Sequence, residues 1–186
     1  MKTYLITIFI NLCVWLPINA QIVDFFKEDL NFYLESDSFK VQGIYFFVNQ
    51  SQNEYCGRLW YPLPDSNISK VEVFNDSFDK INCYLQKKLN WGVFIPLRIK
   101  ASDSTFVIVR YGQKIQGKSV RYILTSTRQW ENPLKEAHFQ LVVGSNFKNV
   151  QFSIIPQLKK KIGKQNLYEW EFKNFYPTKD FLLFWK

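Results

Sequence analysis

The stretch that most resembles a chemical motif is YGQKIQGKS, residues 111–119. Gly112, Gly117, Lys118 and Ser119 match G-x-x-x-x-G-K-S, the pattern of a loop that binds nucleotide phosphates. Such a loop needs a helix after it, because the helix N-terminus points backbone N–H groups at the phosphates. The following VRYILTSTRQW is rich in β-branched residues and predicts a strand instead. We therefore expect no nucleotide, and interpret the segment as a β-hairpin with the two glycines in its turn.

His138 is the only histidine in the sequence, which limits metal and nucleophilic chemistry. A zinc site draws three or four ligands from Cys, His and acidic residues. A serine nucleophile needs a histidine base, and no G-x-S-x-G turn is present. The alternation in HFQLVV places His138 on the opposite strand face from Phe139 and Leu141. We predict a surface histidine, with no catalytic residue, no bound metal and no cofactor.

Acidic side chains offer a second route to catalysis, because glycoside hydrolysis uses two carboxyl groups that flank the scissile bond. Glu169 and Glu171 share one face of a predicted strand, and Asp65, Asp76 and Asp79 lie in predicted turns. Sparse acids of this kind are typically solvated. A glycoside-hydrolase-like enzyme is therefore only the second alternative function.

Basic and aromatic residues favour binding over catalysis. The run Lys159, Lys160 and Lys161, with Lys164 after it, forms a candidate patch for an anionic polymer or lipid headgroup. Aromatic rings also stack on sugar faces, although we expect most of them to fill the core. A carbohydrate- or anionic-polymer-binding module is therefore the first alternative function. The tryptophans considered for sugar stacking are Trp60, Trp91, Trp130, Trp170 and Trp185.

The first twenty residues, MKTYLITIFINLCVWLPINA, have the layout of a secretory signal peptide. Lys2 precedes an apolar run, Pro17 ends the run, and Ala20 is a small residue at the cleavage edge. The run is shorter than the roughly 20 residues that a transmembrane helix needs. We predict a leader over residues 1–20, a mature domain over residues 21–186 without a transmembrane span, and a secreted or extracytoplasmic location. Retention of the leader as an anchor is the alternative.

Two cysteines, Cys56 and Cys83, fall in the predicted mature domain. An even number of cysteines in an exported chain permits a disulfide. The pattern leaves open whether the two form a bond or stay as thiols.

Composition and periodicity predict the elements that position these residues. The chain holds 18 Phe, 10 Tyr and 6 Trp, and aromatic side chains favour strands. Strict alternation in KINCYLQ, HFQLVV, NLYEWEFK and DFLLFWK predicts strands with one buried face. Turn-rich segments separate them at short intervals, and a helical turn is expected only at residues 22–30. We predict an all-β, single-domain antiparallel β-sandwich, either immunoglobulin-like or jelly-roll-like.

Two segments carry a resemblance to other proteins. One is Tyr122-Ile123-Leu124-Thr125 leading to Trp130 and Pro133, and the other is Trp170 to Phe175-x-Pro177 and Asp180. The chain resembles a group of exported prokaryotic β-sandwich proteins that are known only as hypothetical proteins or domains of unknown function. The resemblance implies an extracytoplasmic sandwich, and it brings neither catalytic residues nor a ligand.

These observations favour an exported, non-catalytic protein that binds or scaffolds at the cell envelope or surface. The expected partner is a protein or a glycan. Nucleic acid is not expected outside the cell, although the formal net charge is +8.

Overall fold

A computed structural model of the chain describes residues 23–64, 67–68, 70–86 and 91–186. The predicted leader, residues 1–20, lies outside the described residues. Within those ranges, no helix is long and apolar enough to cross a membrane.

The described residues form β-strands and one short 3₁₀ helix at Thr125–Gln129. The strands, in chain order, are β1 (Val23–Leu34), β2 (Ser38–Asn49), β3 (Tyr55–Pro62), β4 (Glu72–Phe74), β5 (Lys80–Ile81), β6 (Tyr84–Gln86), β7 (Gly92–Ile99), β8 (Ser104–Lys114), β9 (Ser119–Tyr122), β10 (Leu134–Val143), β11 (Gln151–Phe152), β12 (Leu158–Ile162), β13 (Gln165–Phe175) and β14 (Phe181–Phe184).

The strands build one large sheet and two small ones. The large sheet has the order β12-β13-β10-β1-β2-β8-β4-β5. The first small sheet, called the β7 sheet, has the order β3-β7-β6, and the second, the β14 sheet, has the order β11-β14-β9. Pairing among the described strands is antiparallel with one exception, because β1 and β10 run parallel with Leu30 opposite Phe139. The single-domain β-sandwich is confirmed, with this parallel pair as a difference from the all-antiparallel expectation.

Both small sheets pack against the same face of the large sheet. The Phe32 ring on β1 stacks on Phe181 of the β14 sheet, with the ring centroids 4.9 Å apart. The Tyr45 ring on β2 meets Tyr61 of the β7 sheet edge to face, with the centroids 5.4 Å apart. One apolar core therefore holds the three sheets together, and it lies on the alternating residues that the sequence marks as buried.

The YGQKIQGKS segment is not a hairpin, so that prediction is wrong. β8 pairs with β2 and β4, whereas β9 pairs with β14. The segment is thus a connection that carries the chain from the large sheet to the β14 sheet. Gly117 adopts a φ of 81° in this connection, a conformation that glycine tolerates best. Ser119 begins β9 rather than a helix, so the geometry of a phosphate-binding loop is missing here.

The expected helical turn at residues 22–30 is also wrong, because β1 starts at Val23. A β-bulge interrupts this strand: Phe25 pairs with Phe47, Lys27 pairs with Phe46, and no β2 residue lies opposite Phe26 in this register. The bulge offsets the alternation on either side of it. Both Phe25 and Glu28 consequently face the core, three positions apart.

Candidate ligand-binding cavity

A cavity of about 310 Å³ opens where the two small sheets meet above the large sheet. Its floor comes from β1 and β2, one wall comes from β3, and the other comes from the segment after β9, which carries the 3₁₀ helix. The volume is at the lower end of the range typical of small-molecule sites. The lining residues are Phe25, Glu28, Tyr45, Phe47, Tyr55, Arg58, Leu59, Trp60, Tyr61, Pro62, Leu97, Tyr122, Ile123, Ser126, Thr127, Gln129 and Trp130.

Three buried tyrosines, one from each sheet, join at the bottom of this cavity. The hydroxyl of Tyr45 lies 2.8 Å from that of Tyr61 and 2.8 Å from that of Tyr122. Three hydroxyl groups carry three hydrogens, and two hydrogen bonds among them use only two. Whichever group donates, one hydroxyl hydrogen of the three remains for another acceptor.

Glu28 lies beside these hydroxyls as the only acidic residue among the described residues that line the cavity. It is only 2% exposed, and its Oε1 has no hydrogen-bond partner among the described residues. Buried carboxyl oxygens are ordinarily paired, because leaving one without a partner costs free energy. An unpaired carboxyl oxygen in the lining of a cavity is therefore a feature that points to a ligand.

Burial controls the protonation of this site. It raises the pKa of Glu28 from 4.5 to about 8, and the neighbouring charge of Asp29 adds to the rise. Burial likewise raises the pKa of Tyr45 and of Tyr61 well above the ordinary value of 10. At neutral pH the cavity thus presents a neutral carboxylic acid and neutral phenols.

Aromatic rings form the apolar wall. Phe25 stacks on Phe47 with centroids 5.2 Å apart, and Trp130 lies 5.8 Å from Phe25 and 5.6 Å from Phe47. Arg58, an exposed residue of the edge strand β3, is the only basic residue in the described lining. The acid thus lies at the floor, whereas the guanidinium lies in solvent.

The mouth of the cavity widens into a shallower depression of about 460 Å³. The two share five residues, so they form one continuous concave surface: Trp60, Pro62, Ile123, Ser126 and Gln129. Trp91 and Pro64 extend the depression.

Asp180 anchors the segment that carries this wall. Its Oδ1 accepts hydrogen bonds from the backbone N–H of Leu124 at 3.2 Å, and from the N–H and hydroxyl of Thr125 at 3.0 and 2.7 Å. These contacts fix the first turn of the 3₁₀ helix, from which Ser126, Thr127 and Gln129 reach the cavity. The strand-terminal acid therefore positions the wall without lining the cavity itself.

The structure places His138, Glu169 and Glu171 away from the cavity. His138 is half-buried on the outer face of β10, where its Nδ1 lies 3.1 Å from Asp29 Oδ1. Glu169 lies on the same outer face, 3.2 Å from Lys160. Among the described residues, no group of three or more His, Cys, Asp or Glu side chains is arranged to hold a metal ion.

The lysine patch lies on the edge strand β12 and the turn after it. Lys159, Lys160, Lys161 and Lys164 are all exposed. Three apolar residues flank them, with Ile155 84%, Leu158 40% and Ile162 56% exposed.

Cys56 and Cys83 are free thiols in the structure, so the disulfide is not present. Cys56 is exposed on β3, where its Sγ accepts a 3.5 Å hydrogen bond from Arg98 Nε. Cys83 is half-buried between β5 and β6 and packs against the core. The two thiols therefore lie in different environments.

The tryptophans divide between core and cavity. Trp170 is 1% exposed, and Trp185 is half-buried against Phe147 with the ring centroids 5.1 Å apart. Trp60 and Trp130 line the cavity, whereas Trp91 lines the depression.

Sequence reasoning did not select Glu28. A signal was available, because Leu30, Phe32 and Leu34 alternate on the buried face, and stepping back by two places Glu28 on that face. The apolar pair Phe25-Phe26 obscured this alternation, since the bulge there breaks the period.

The fold and the cavity thus define a β-sandwich with a small internal site. Residues 109–183, less than half of the chain, match the family model "Domain of unknown function (DUF4424)", which agrees with the resemblance to proteins of unknown function. The comparison with curated protein sequences gives no match.

Solved structures share the fold at low sequence identity. A crystal structure of a "putative nutrient binding protein" (lpg2210) from Legionella pneumophila superposes with a TM-score of 0.68 and 13% identity over 88% of this chain and 67% of that chain. An M1 zinc metallopeptidase mutant from Deinococcus radiodurans superposes with a TM-score of 0.50 and 9% identity over 88% of this chain and 43% of that chain. At these identities the likeness is one of fold.

Proposed function

We propose that this protein is an extracytoplasmic, non-catalytic binding protein that holds a small molecule in the cavity between its three sheets. The observation that carries the proposal is the unpaired Oε1 of Glu28 in the cavity lining. A bound polar group would give this atom the partner that it lacks among the described residues.

The surroundings of Glu28 support binding more than catalysis. Hydrolysis of the glycosidase type uses two carboxyl groups that flank the scissile bond, and Glu28 is the only carboxyl group in the described lining. Aromatic walls with a few convergent polar groups are instead typical of ligand sites. The name of the Legionella neighbour, which describes a binding protein, is consistent with this proposal.

The proposal is tested by saturation-transfer NMR with benzyl alcohol, benzylamine, benzoate and D-glucose as probes. The variant Ser126→Trp fills the mouth, because Ser126 lines both the cavity and the depression. Ser119→Trp is the matched control, since Ser119 is exposed at the start of β9 and outside the lining. Saturable binding of any probe that is lost only in Ser126→Trp supports the proposal. Failure of all four probes to bind, or equal binding to both variants, overturns it.

A second candidate function is contact with an anionic polymer through the lysine patch. It is favoured by the exposure of Lys159, Lys161 and Lys164, for which no ion pair is found among the described residues. Lys160 alone in the patch has a carboxylate partner, Glu169. This contact would occur at a sheet edge and leave the cavity free.

A further inference from the structure

We infer that the cavity selects a ligand by an ammonium group, which pairs with Glu28 inside a cage of aromatic rings. This inference rests on the proposed function and adds the chemical class of the ligand. It depends on three features: the acid at the floor, the rings around it, and the position of the cationic residue.

The floor is suited to a cation because Glu28 is the only acidic residue in the described lining, and the tyrosines beside it stay neutral. An anionic ligand would face Glu28, with Asp29 next to it in the chain, and would find no basic residue at the floor. Arg58, the basic residue of the described lining, is exposed on an edge strand. An ammonium group, by contrast, gives Oε1 of Glu28 a charged hydrogen-bond donor.

The aromatic rings add a second attraction for a cation. Five rings form a continuous wall, with the centroids of contacting rings 5.2 to 6.0 Å apart: Phe25, Tyr45, Phe47, Tyr61 and Trp130. The face of an aromatic ring is electron-rich and attracts cations, most strongly when water is excluded. A neutral sugar would use the same rings, but it would not need the buried acid.

Binding of an ammonium group changes the protonation of Glu28. Burial holds the pKa of Glu28 at about 8, so before a ligand binds its carboxyl carries a proton at pH 7. The incoming cation favours the carboxylate, and the proton leaves to solvent. Each bound ammonium ion thus releases up to one proton below pH 8. Tyr45, Tyr61 and Tyr122 face Glu28 at the floor. Asp29 lies on the outer face of β1, from which its charge raises the pKa of Glu28, and Arg58 lies in solvent at the edge of the cavity.

Three probes of one size separate the charge classes: benzylamine as the cation, benzyl alcohol as the neutral compound and benzoate as the anion. Titration calorimetry of the full chain at pH 6, 7 and 8 measures each affinity. Two buffers with different ionisation enthalpies at pH 6.5 count the protons released. We expect benzylamine to bind at least tenfold more tightly than the others at pH 8. As the pH rises toward the pKa of Glu28, the dissociation constant of benzylamine should fall about tenfold for each pH unit.

Two variants give the test its controls. Glu28→Gln keeps the shape of the side chain and removes its charge, so the preference for benzylamine, the pH dependence and the proton release should all disappear. Glu136→Gln makes the same change on the outer face of β10, where Glu136 pairs with Lys27 at 3.7 Å, and should leave all three unchanged. Tighter binding of benzyl alcohol or benzoate, or benzylamine binding without proton release, overturns the ammonium inference while the proposed function stands. The absence of binding by every probe overturns both.

Discussion

Arg121 holds the carboxylate of Asp180 by two nitrogens, with Nε 2.8 Å and Nη2 2.6 Å from Oδ2. Arg121 lies on β9, and Asp180 comes just before β14, the strand that pairs with β9. The other oxygen of Asp180 is occupied by Leu124 and Thr125. One carboxylate therefore joins the last strand to the segment that walls the cavity.

The two partners should differ in their contribution to stability. The side chain of Arg121 is 52% exposed, and exposed ion pairs contribute up to about 1 kcal/mol. Asp180→Ala also leaves the N–H groups of Leu124 and Thr125 without their acceptor, which should raise the cost to about 3 kcal/mol. Urea unfolding of Arg121→Ala and Asp180→Ala measures the difference, and equal losses would show that the ion pair alone matters.

The same carboxylate should make the fold sensitive to acid. Burial acts to raise the pKa of Asp180, but the hydrogen bonds from Thr125 and Arg121 outweigh it, so the pKa is lowered. An acid with a lowered folded-state pKa stabilises the fold above its unfolded-state pKa, and this stability is lost as the pH falls through the folded-state pKa. Asp180→Asn should therefore flatten the decline in unfolding free energy below pH 4.

Glu28 should give the opposite pH dependence. Its pKa is raised from 4.5 to about 8, so between these values the unfolded chain loses a proton that the folded chain keeps. The unfolding free energy should fall as the pH rises through that window, by on the order of 5 kcal/mol at the limit, and level off above it. Glu28→Gln should remove this slope and be more stable than the wild type at pH 8. Urea titrations from pH 4 to 9 measure it, and an unchanged slope would mean that Glu28 is hydrated or paired.

Gly43 has no side chain, and this leaves room for the Tyr45 ring. A Cβ at Gly43 would overlap the phenol of Tyr45, whose hydroxyl holds the three-sheet junction. Gly43→Ala should displace Tyr45 from Tyr61 and Tyr122, lower stability by about 2 kcal/mol and weaken probe binding in the cavity. Thermal unfolding and the probe titrations measure both effects.

Gly57 offers a comparison for that substitution. A Cβ there would overlap the ring of Tyr55, but Tyr55 is only half-buried on the edge strand β3 and has room to move. Gly57→Ala should therefore cost less than Gly43→Ala. The reverse order would contradict the role of Tyr45.

The lysine patch should bind polyanions beyond the effect of net charge. Replacing Lys159, Lys161 and Lys164 by Gln should lower the salt concentration at which the protein elutes from immobilised heparin, because these clustered charges act together. The control replaces Lys100, Lys114 and Lys118, which are exposed elsewhere, and removes the same three charges. An equal loss in both variants would assign the binding to overall charge.

The alternation of apolar and polar residues along a strand explains which predictions of the fold were right. Period-two patterns in β10, β13 and β14 reported which side chains are buried, and that was enough to predict a β-sandwich. Pairing partners depend on contacts between distant segments, so neither the parallel β1–β10 pair nor the transfer of the chain from β8 to β9 was visible in local patterns. The cavity was hidden for the same reason, because Tyr45, Tyr61 and Tyr122 come from different sheets and only the bulge at Phe26 brings Glu28 to them.

The last strand should be indispensable for the fold. β14 is the central strand of its sheet, and it buries Phe181 and Leu183 completely, at 0% exposure each. Deletion of residues 180–186 would uncover Phe32 and Trp170, whose rings pack on Phe181 at 4.9 and 5.1 Å. Loss of even one such buried side chain costs about 2–5 kcal/mol, a large part of the 5–15 kcal/mol that typically stabilises a domain.

Two point substitutions separate the contribution of the buried side chains of β14 from that of its backbone. Leu183→Ala should cost about 2–5 kcal/mol, whereas Leu182→Ala, on the partly exposed face of β14, should cost clearly less. The truncated chain should aggregate or lack a cooperative unfolding transition by circular dichroism. A soluble truncation that unfolds cooperatively at wild-type stability would mean that the large sheet and the β7 sheet close the core without β14. The Asp180 anchor would then position the cavity wall without being needed for folding.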